Sequence, residues 1–283
     1  MPWPEALVAE LAARRCVVFL GAGITAACKN GNGDHPPGWD TLLQRAMGVL
    51  PDGVDKVTAG VLLGEKRYLD AAEVVFSAIE PADRTTFFRQ QFQQPAFLSS
   101  RLHELIRDLD AKVVVTTNYD TLYDRLCPGD EGYNVRKYTD DHLIDDIRSP
   151  VRVILKAHGC ITDPQNIVLT RSDYYTARER HLRFYNVLDA LFLTNTILFL
   201  GCSLTDPDIQ LTLENSNIAA TATHTHFALL AQGTHRALAR AIRRSYNIRL
   251  VEYDNATGDH GNAVVELEQL VSDVESYRST QLT

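Results

Sequence analysis

Cysteine is scarce in this chain and unordered. Its five residues, Cys16, Cys28, Cys127, Cys160 and Cys202, contain no C-x-x-C pair and are odd in number. That pattern indicates neither a disulfide framework nor a zinc ribbon. Positive charge is also in short supply: 28 Lys and Arg against 36 Asp and Glu leave a net charge of -8. General nucleic-acid binding needs the opposite balance. The local exception is RALARAIRR, residues 236–244, with Arg236, Arg240, Arg243 and Arg244 on one helix, better explained as a solvated face than as a direct nucleic-acid contact. No apolar run reaches the length of a membrane span. The N-terminal MPWPEALVAELAARR interrupts its apolar residues with acidic ones, unlike a secretory signal. Low-complexity tracts and internal repeats are absent too. Together these absences lead to the expectation of a cytoplasmic protein without membrane contact.

What is present is ample apolar material, 45% of 283 residues, enough for one large domain. The stretch VVFLGAGIT, residues 17–25, runs four apolar residues into Gly21, Ala22 and Gly23. A buried strand ending in glycines is a common opening of a nucleotide-binding α/β fold. Gly21 suits a tight turn, and Gly23 would let the backbone approach a diphosphate. Ala26 stands where a third glycine would fall, so the motif alone is equally compatible with a turn that binds nothing.

Residues 4–14 read as an amphipathic helix, and residues 39–108 show three- and four-residue apolar spacing punctuated by Pro51, Pro81 and Pro95. Some 70 helical residues exceed one crossover connection, so this block is expected to be a helical insert or cap within a single domain, residues 1–283. Beyond it, strands are expected at 112–117, 151–159, 197–201, 226–231 and 247–253, with helices at 119–126, 206–215, 235–245 and 262–274. Apolar strands separated by helices imply a Rossmann-like parallel sheet covered on both faces, an α/β fold whose ligands lie at the carboxyl ends of the strands.

Polar or glycine clusters mark the expected ends of several strands: Gly21-Ala22-Gly23, Thr117-Asn118-Tyr119-Asp120, His158-Gly159 and Gly201-Cys202-Ser203. Each has a plain structural explanation. Asn118 could cap the next helix, His158 could be a satisfied core histidine, and Ser203 or Asp206 could cap the helix near 206. Their convergence on one sheet edge argues for a site. His224, His226 and His235 lie close in sequence, but no carboxylate or cysteine completes a ligand set with them, so no metal is expected.

The ordered motifs VVFLGAGIT, PGW (37–39), VVVTTNYDTL, ILKAHG, IVLTRSDY (167–174) and LFLGCSLTDPDI (198–209) resemble the sirtuin-like (silent information regulator) family. They are most similar to its bacterial branch associated with anti-phage defence. The resemblance spans about residues 15–255 and implies NAD as substrate. By it, Gly21, Ala22 and Gly23 would hold the diphosphate and Thr25 would add a hydroxyl. Asn118 would contact the nicotinamide ribose and order the attacking water, and Asp120 would hold the carboxamide. His158 would be the general base, and Gly201 and Ser203 would bind phosphate or the adenosine ribose.

Two departures from the family pattern matter. Only Cys160 follows His158 closely, where protein-deacylating members carry a zinc module of paired cysteines, and KNGNGDHPPGW replaces the usual arginine-containing segment after the glycine turn. The resemblance therefore implies an NAD glycohydrolase serving abortive antiviral defence. A non-catalytic module sensing NAD or an ADP-ribose derivative is the alternative, and an NAD-dependent deacylase a more distant one. An ungated NADase would kill its own cell, and little sequence follows the final predicted helix. Gating is thus expected from homo-oligomerisation or from a separate partner, such as a HerA-type ATPase or an Argonaute-like protein.

Overall fold

The structure, a computed structural model, describes residues 3–219 and 224–281. Helix α1 (Glu5–Ala12) leads into β1 (Cys16–Leu20), which turns through Gly21 into the short α2 (Ala22–Ala26). The block before the second strand holds α3 (Trp39–Met47), α4 (Val54–Gly64), α5 (Tyr68–Ser77), α6 (Pro81–Phe92) and α7 (Arg101–Asp108). Then come β2 (Val113–Thr116), α8 (Leu122–Leu126), β3 (Tyr133–Lys137), α9 (Leu143–Arg148) and β4 (Arg152–Lys156). The remainder is α10 (Arg171–Arg180), α11 (Leu182–Thr194), β5 (Thr196–Leu200), α12 (Pro207–Ala219), β6 (His226–Ala231), α13 (Arg236–Tyr246), β7 (Ile248–Tyr253) and α14 (Gly261–Gln281).

The strands form one seven-stranded sheet in the order β3-β4-β2-β1-β5-β6-β7, and every pairing is parallel. Strand side chains alternate between faces, and both faces are buried. Val18, Leu20, Val114, Ile154, Leu198, Leu200 and Leu229 join one core with residues of α1, α7 and α14. Val17, Phe19, Val115, Leu155, Ile197 and Phe199 join the other with residues of α10, α11 and α12. Burial on both sides explains why these strands read as unbroken apolar runs. The chain departs from β1 toward β2 on one side and later returns to β5 on the other. The crevice between β1 and β5 is the switch point at which such sheets take ligands.

The helical block has its own core, in which Leu42, Leu43, Ala72, Val75, Phe76, Phe87 and Phe88 pack with Cys160, Ile161, Ile167 and Leu169. The segment after His158 is therefore the floor on which the block sits. Arg84 of α6 pairs with Asp173 at 2.7 Å, and the Asp173 carboxylate also accepts the backbone N–H groups of Leu169 and Thr170. The region without a zinc module is thus ordered by apolar packing and a capping box at α10.

Several expected elements differ. The strand expected over 151–159 ends at Lys156, which puts His158 on the turn beyond it. Asn118 does not cap α8: the Asp120 carboxylate accepts the Leu122 N–H instead, and the helix begins only at Leu122. Strand β3 was not anticipated; its burial is mixed because it lies at the sheet edge. Cys160 is buried in the block's core, whereas Cys202 is only half-buried.

Candidate active site

Two backbone segments meet at the switch point, the turn after β1 and the end of β5. Gly21 N–H donates to the Leu200 carbonyl at 2.9 Å, and Gly23 N–H donates to the Gly201 carbonyl at 2.9 Å. A Cβ on Gly21 would lie 2.5 Å from the Gly201 oxygen, one on Gly23 2.9 Å from that same oxygen, and one on Gly201 2.5 Å from Ile24 N. Gly201 also has φ of +63°, a conformation that glycine adopts without strain. The three glycines are required first for the close packing of the β1 turn on the end of β5.

Asn118 closes the next side. Its Nδ2 donates to the Gly21 carbonyl at 3.1 Å and to Thr25 Oγ1 at 2.9 Å. Thr25 Oγ1 in turn donates to Asp120 Oδ2 at 2.9 Å, and Asp120 Oδ1 accepts the Leu122 N–H. Thr25 and Asp120 are both buried. Beneath them lies Lys156, 1% exposed, whose Nζ donates to the Asp120 carbonyl and sits 3.3 Å from Asp124 Oδ2. Burial pushes the Lys156 ammonium toward the neutral form, but Asp124, Cys160 and Asp120 more than offset it and raise its pKa.

Opposite these groups stands His158, 4% exposed. Its Nε2 lies 3.6 Å from Asp206 Oδ2, and its ring meets that of Tyr174 edge-on at 5.0 Å. The Tyr174 hydroxyl donates to the same Asp206 oxygen at 2.7 Å. Burial, with Asp206 adding to it, raises the Tyr174 hydroxyl far above its ordinary value, so it stays a donor. The other Asp206 oxygen accepts the N–H groups of Asp208 and Ile209 and caps α12.

One cavity of about 120 Å³ is bordered by Ala22, Thr25, Asn118, Asp120, His158, Tyr174 and Asp206, with Trp39 and Pro37 from the approach to the helical block. It therefore brings together Ala22, Thr25, Asn118, Asp120 and His158 of the expected site. Gly23 and Gly201 border a neighbouring hollow on the far side of the turn, with Leu229, Tyr253 and His260. Gly21 and Ser203 join neither lining; Ser203 is exposed and bonded to Thr205. Tyr174 and Lys156 were not anticipated, and Asp206 was expected only as a cap. The one available signal for Lys156 was a charged residue at the end of the apolar run VRVIL. Among the described residues no group of His, Cys, Asp or Glu has the makings of a metal site. His226 is instead a core residue whose Nδ1 accepts the Ile197 N–H. No helix among them is long and apolar enough to cross a membrane.

A doubly covered parallel sheet, a glycine turn at its switch point and an amide, a carboxylate and an imidazole around one cavity define a Rossmann-like α/β fold with one candidate site at its carboxyl edge. Residues 112–251 match the SIR2-like domain family. The match holds Asn118, Asp120, His158 and Asp206, while the glycine turn precedes it. Among curated relatives, "NAD(+) hydrolase ThsA" of Acinetobacter baumannii is 24% identical over 76% of this chain and 42% of its own length. "Defense-associated sirtuin 2" of Bacillus subtilis is 25% identical over 70% of this chain and 19% of its own. "NAD(+) hydrolase ThsA" of Enterococcus faecium is 34% identical over 39% of this chain and 23% of its own. The chain thus spans less than half the length of these relatives.

Proposed function

We propose that this chain is an NAD glycohydrolase, converting NAD and water to ADP-ribose, nicotinamide and a proton. The observation that carries the reading is the shared cavity, which Asn118 and His158 both line together with Ala22 of the glycine turn. Names of relatives as NAD(+) hydrolases support it. Small-molecule sites usually enclose roughly 300–1,000 Å³, so a cavity of about 120 Å³ suits one ring of a dinucleotide. Nicotinamide fits that description. The diphosphate then lies along the turn at Gly21, Ala22 and Gly23, with Gly201 and Ser203 toward the adenosine ribose.

In the reaction the C–N bond from ribose C1′ to nicotinamide breaks, and its electron pair leaves with the ring, whose positive charge is thereby neutralised. No general acid is needed for that departure. A water oxygen bonds to C1′ and its proton passes to His158 as the general base. Asn118 is held by the Gly21 carbonyl and Thr25, which fixes its amide without a reorganisation cost in the transition state. Asp120 holds the nicotinamide carboxamide while keeping Thr25 in place. The chain acts in antiviral defence, its activity gated by self-association or by a protein partner such as a HerA-type ATPase or an Argonaute-like protein.

Purified protein incubated with NAD, with and without an acylated peptide, tests the reading through nicotinamide release. Release without peptide is expected. Binding without release would identify a sensor instead, and release only with peptide a deacylase.

A further inference from the structure

The cavity holds a carboxylate, expected only as a helix cap, to which the proposed reaction gives no part. Asp206 stands just ahead of α12, with Oδ1 committed to the Asp208 and Ile209 N–H groups. Those two bonds fix the plane of the carboxylate. Its Oδ2 is then aimed into the space between Tyr174, at 2.7 Å, and His158 Nε2, at 3.6 Å. Helix capping needs only Oδ1, so the placement of Oδ2 is not explained by the cap.

We propose that Asp206 is the positioning residue that sets the tautomer and basicity of His158. A carboxylate facing Nε2 favours the proton on that nitrogen and leaves Nδ1 as the acceptor for a reacting water. It also stabilises the imidazolium that forms when His158 takes the proton. Tyr174 moderates the effect, because its hydroxyl shares the same oxygen and drains part of its negative charge. The gap of 3.6 Å is long for a hydrogen bond and shortens as the imidazole becomes charged.

Other charged or titratable groups near the imidazole are less able to do this. Asp208 on α12 feels His158, but its two oxygens are taken by Arg178 and Tyr185. Asp120, from the β2–α8 turn, turns one oxygen to Thr25 and the other to the Leu122 N–H. Tyr119, from the same turn, donates to the Val168 carbonyl.

The consequence for turnover rests on the hydrolase reading, whereas the coupling itself does not. The test is an NMR titration of the His158 imidazole, assigned by the signal lost in His158→Gln, in wild type, Asp206→Asn and Tyr174→Phe. Both test variants keep side-chain volume, and asparagine still caps α12. Wild type should show neutral His158 protonated at Nε2. Asp206→Asn should lower its titration by about 1 pH unit, and Tyr174→Phe should raise it. The acid limb of kcat/KM for nicotinamide release should move the same way in each, a movement that a merely structural role would not produce. An unchanged or raised titration in Asp206→Asn, or an unchanged or lowered one in Tyr174→Phe, overturns the proposal. Absence of nicotinamide release from every form would overturn the hydrolase reading alone, and the titration would still decide the coupling.

Discussion

Replacing Gly201 by alanine separates two roles of the glycine turn, backbone packing and ligand approach. Gly201 has φ of +63°, and left-handed geometry costs a residue with a Cβ about 1–2 kcal/mol. The new Cβ would lie 2.5 Å from Ile24 N and 2.9 Å from Ile24 Cγ1. The first of these is backbone and cannot rotate away, so the turn itself must move. Overpacking of this kind costs about 1–3 kcal/mol, and the two contributions together give about 2–5 kcal/mol.

Urea unfolding measures the loss as a lower midpoint at unchanged slope. Gly31→Ala is the matched control, since nothing lies within 4 Å of its Cβ position and surface changes usually stay within about 0.5 kcal/mol. Gly201→Ala costing no more than Gly31→Ala would refute the packing role. The substitution should also weaken NAD binding, because Gly21 and Gly23 both hydrogen-bond to the end of β5 and would shift with it.

His158→Ala should cut nicotinamide release by about 10²–10⁴-fold with NAD affinity largely kept, as measured by calorimetric titration; unchanged turnover would remove His158 from the role of base. Lys156→Met should destabilise the fold by about 3–5 kcal/mol, because Asp124, whose side chain is only 11% exposed, would be left without its partner. The double variant Lys156→Met/Asp124→Leu should recover most of that loss in urea unfolding. Acidification provides a further check: burial lowers His226 from 6.5 to about 4, so between those values the unfolded chain binds the proton and the folded one does not. Stability should therefore be complete above about pH 6.5 and fall by up to roughly 3 kcal/mol toward pH 4. His226→Asn, whose amide oxygen can still accept the Ile197 N–H, should lose less over the same range.

The sheet was legible because burial on both faces makes strands such as Val17–Leu20 and Ile197–Leu200 continuously apolar. Strand β3 was not, because an edge strand such as YNVRK carries polar residues on its open side and has no apolar run to betray it. Helices α10 and α11 went unassigned because α10, RSDYYTARER, has only Tyr174 and Ala177 buried. Asn118 and His158 were visible as polar residues at the ends of apolar strands. Asp206 and Tyr174 were not, since their relation to His158 depends on loops after β4 and β5 that bring together residues 158, 174 and 206. Nothing local in either sequence encodes that meeting.

The hydrogen bonds change how the site's residues should be apportioned. Asn118, Thr25 and Asp120 look from the sequence like three separate ligand contacts. In the structure they form one chain, from the Gly21 carbonyl through Asn118 and Thr25 to Asp120 and the Leu122 N–H. Removing the Thr25 hydroxyl frees an Asn118 donor and an Asp120 acceptor together, so each neighbour loses its orientation whether or not it touches substrate. Single substitutions within such a unit measure the unit, and their effects do not add. The double variant Thr25→Val/Asp120→Asn should therefore impair turnover little more than Thr25→Val does alone. A combined effect equal to the product of the single effects would mean that Asp120 acts on substrate independently of the Asn118 it helps to hold.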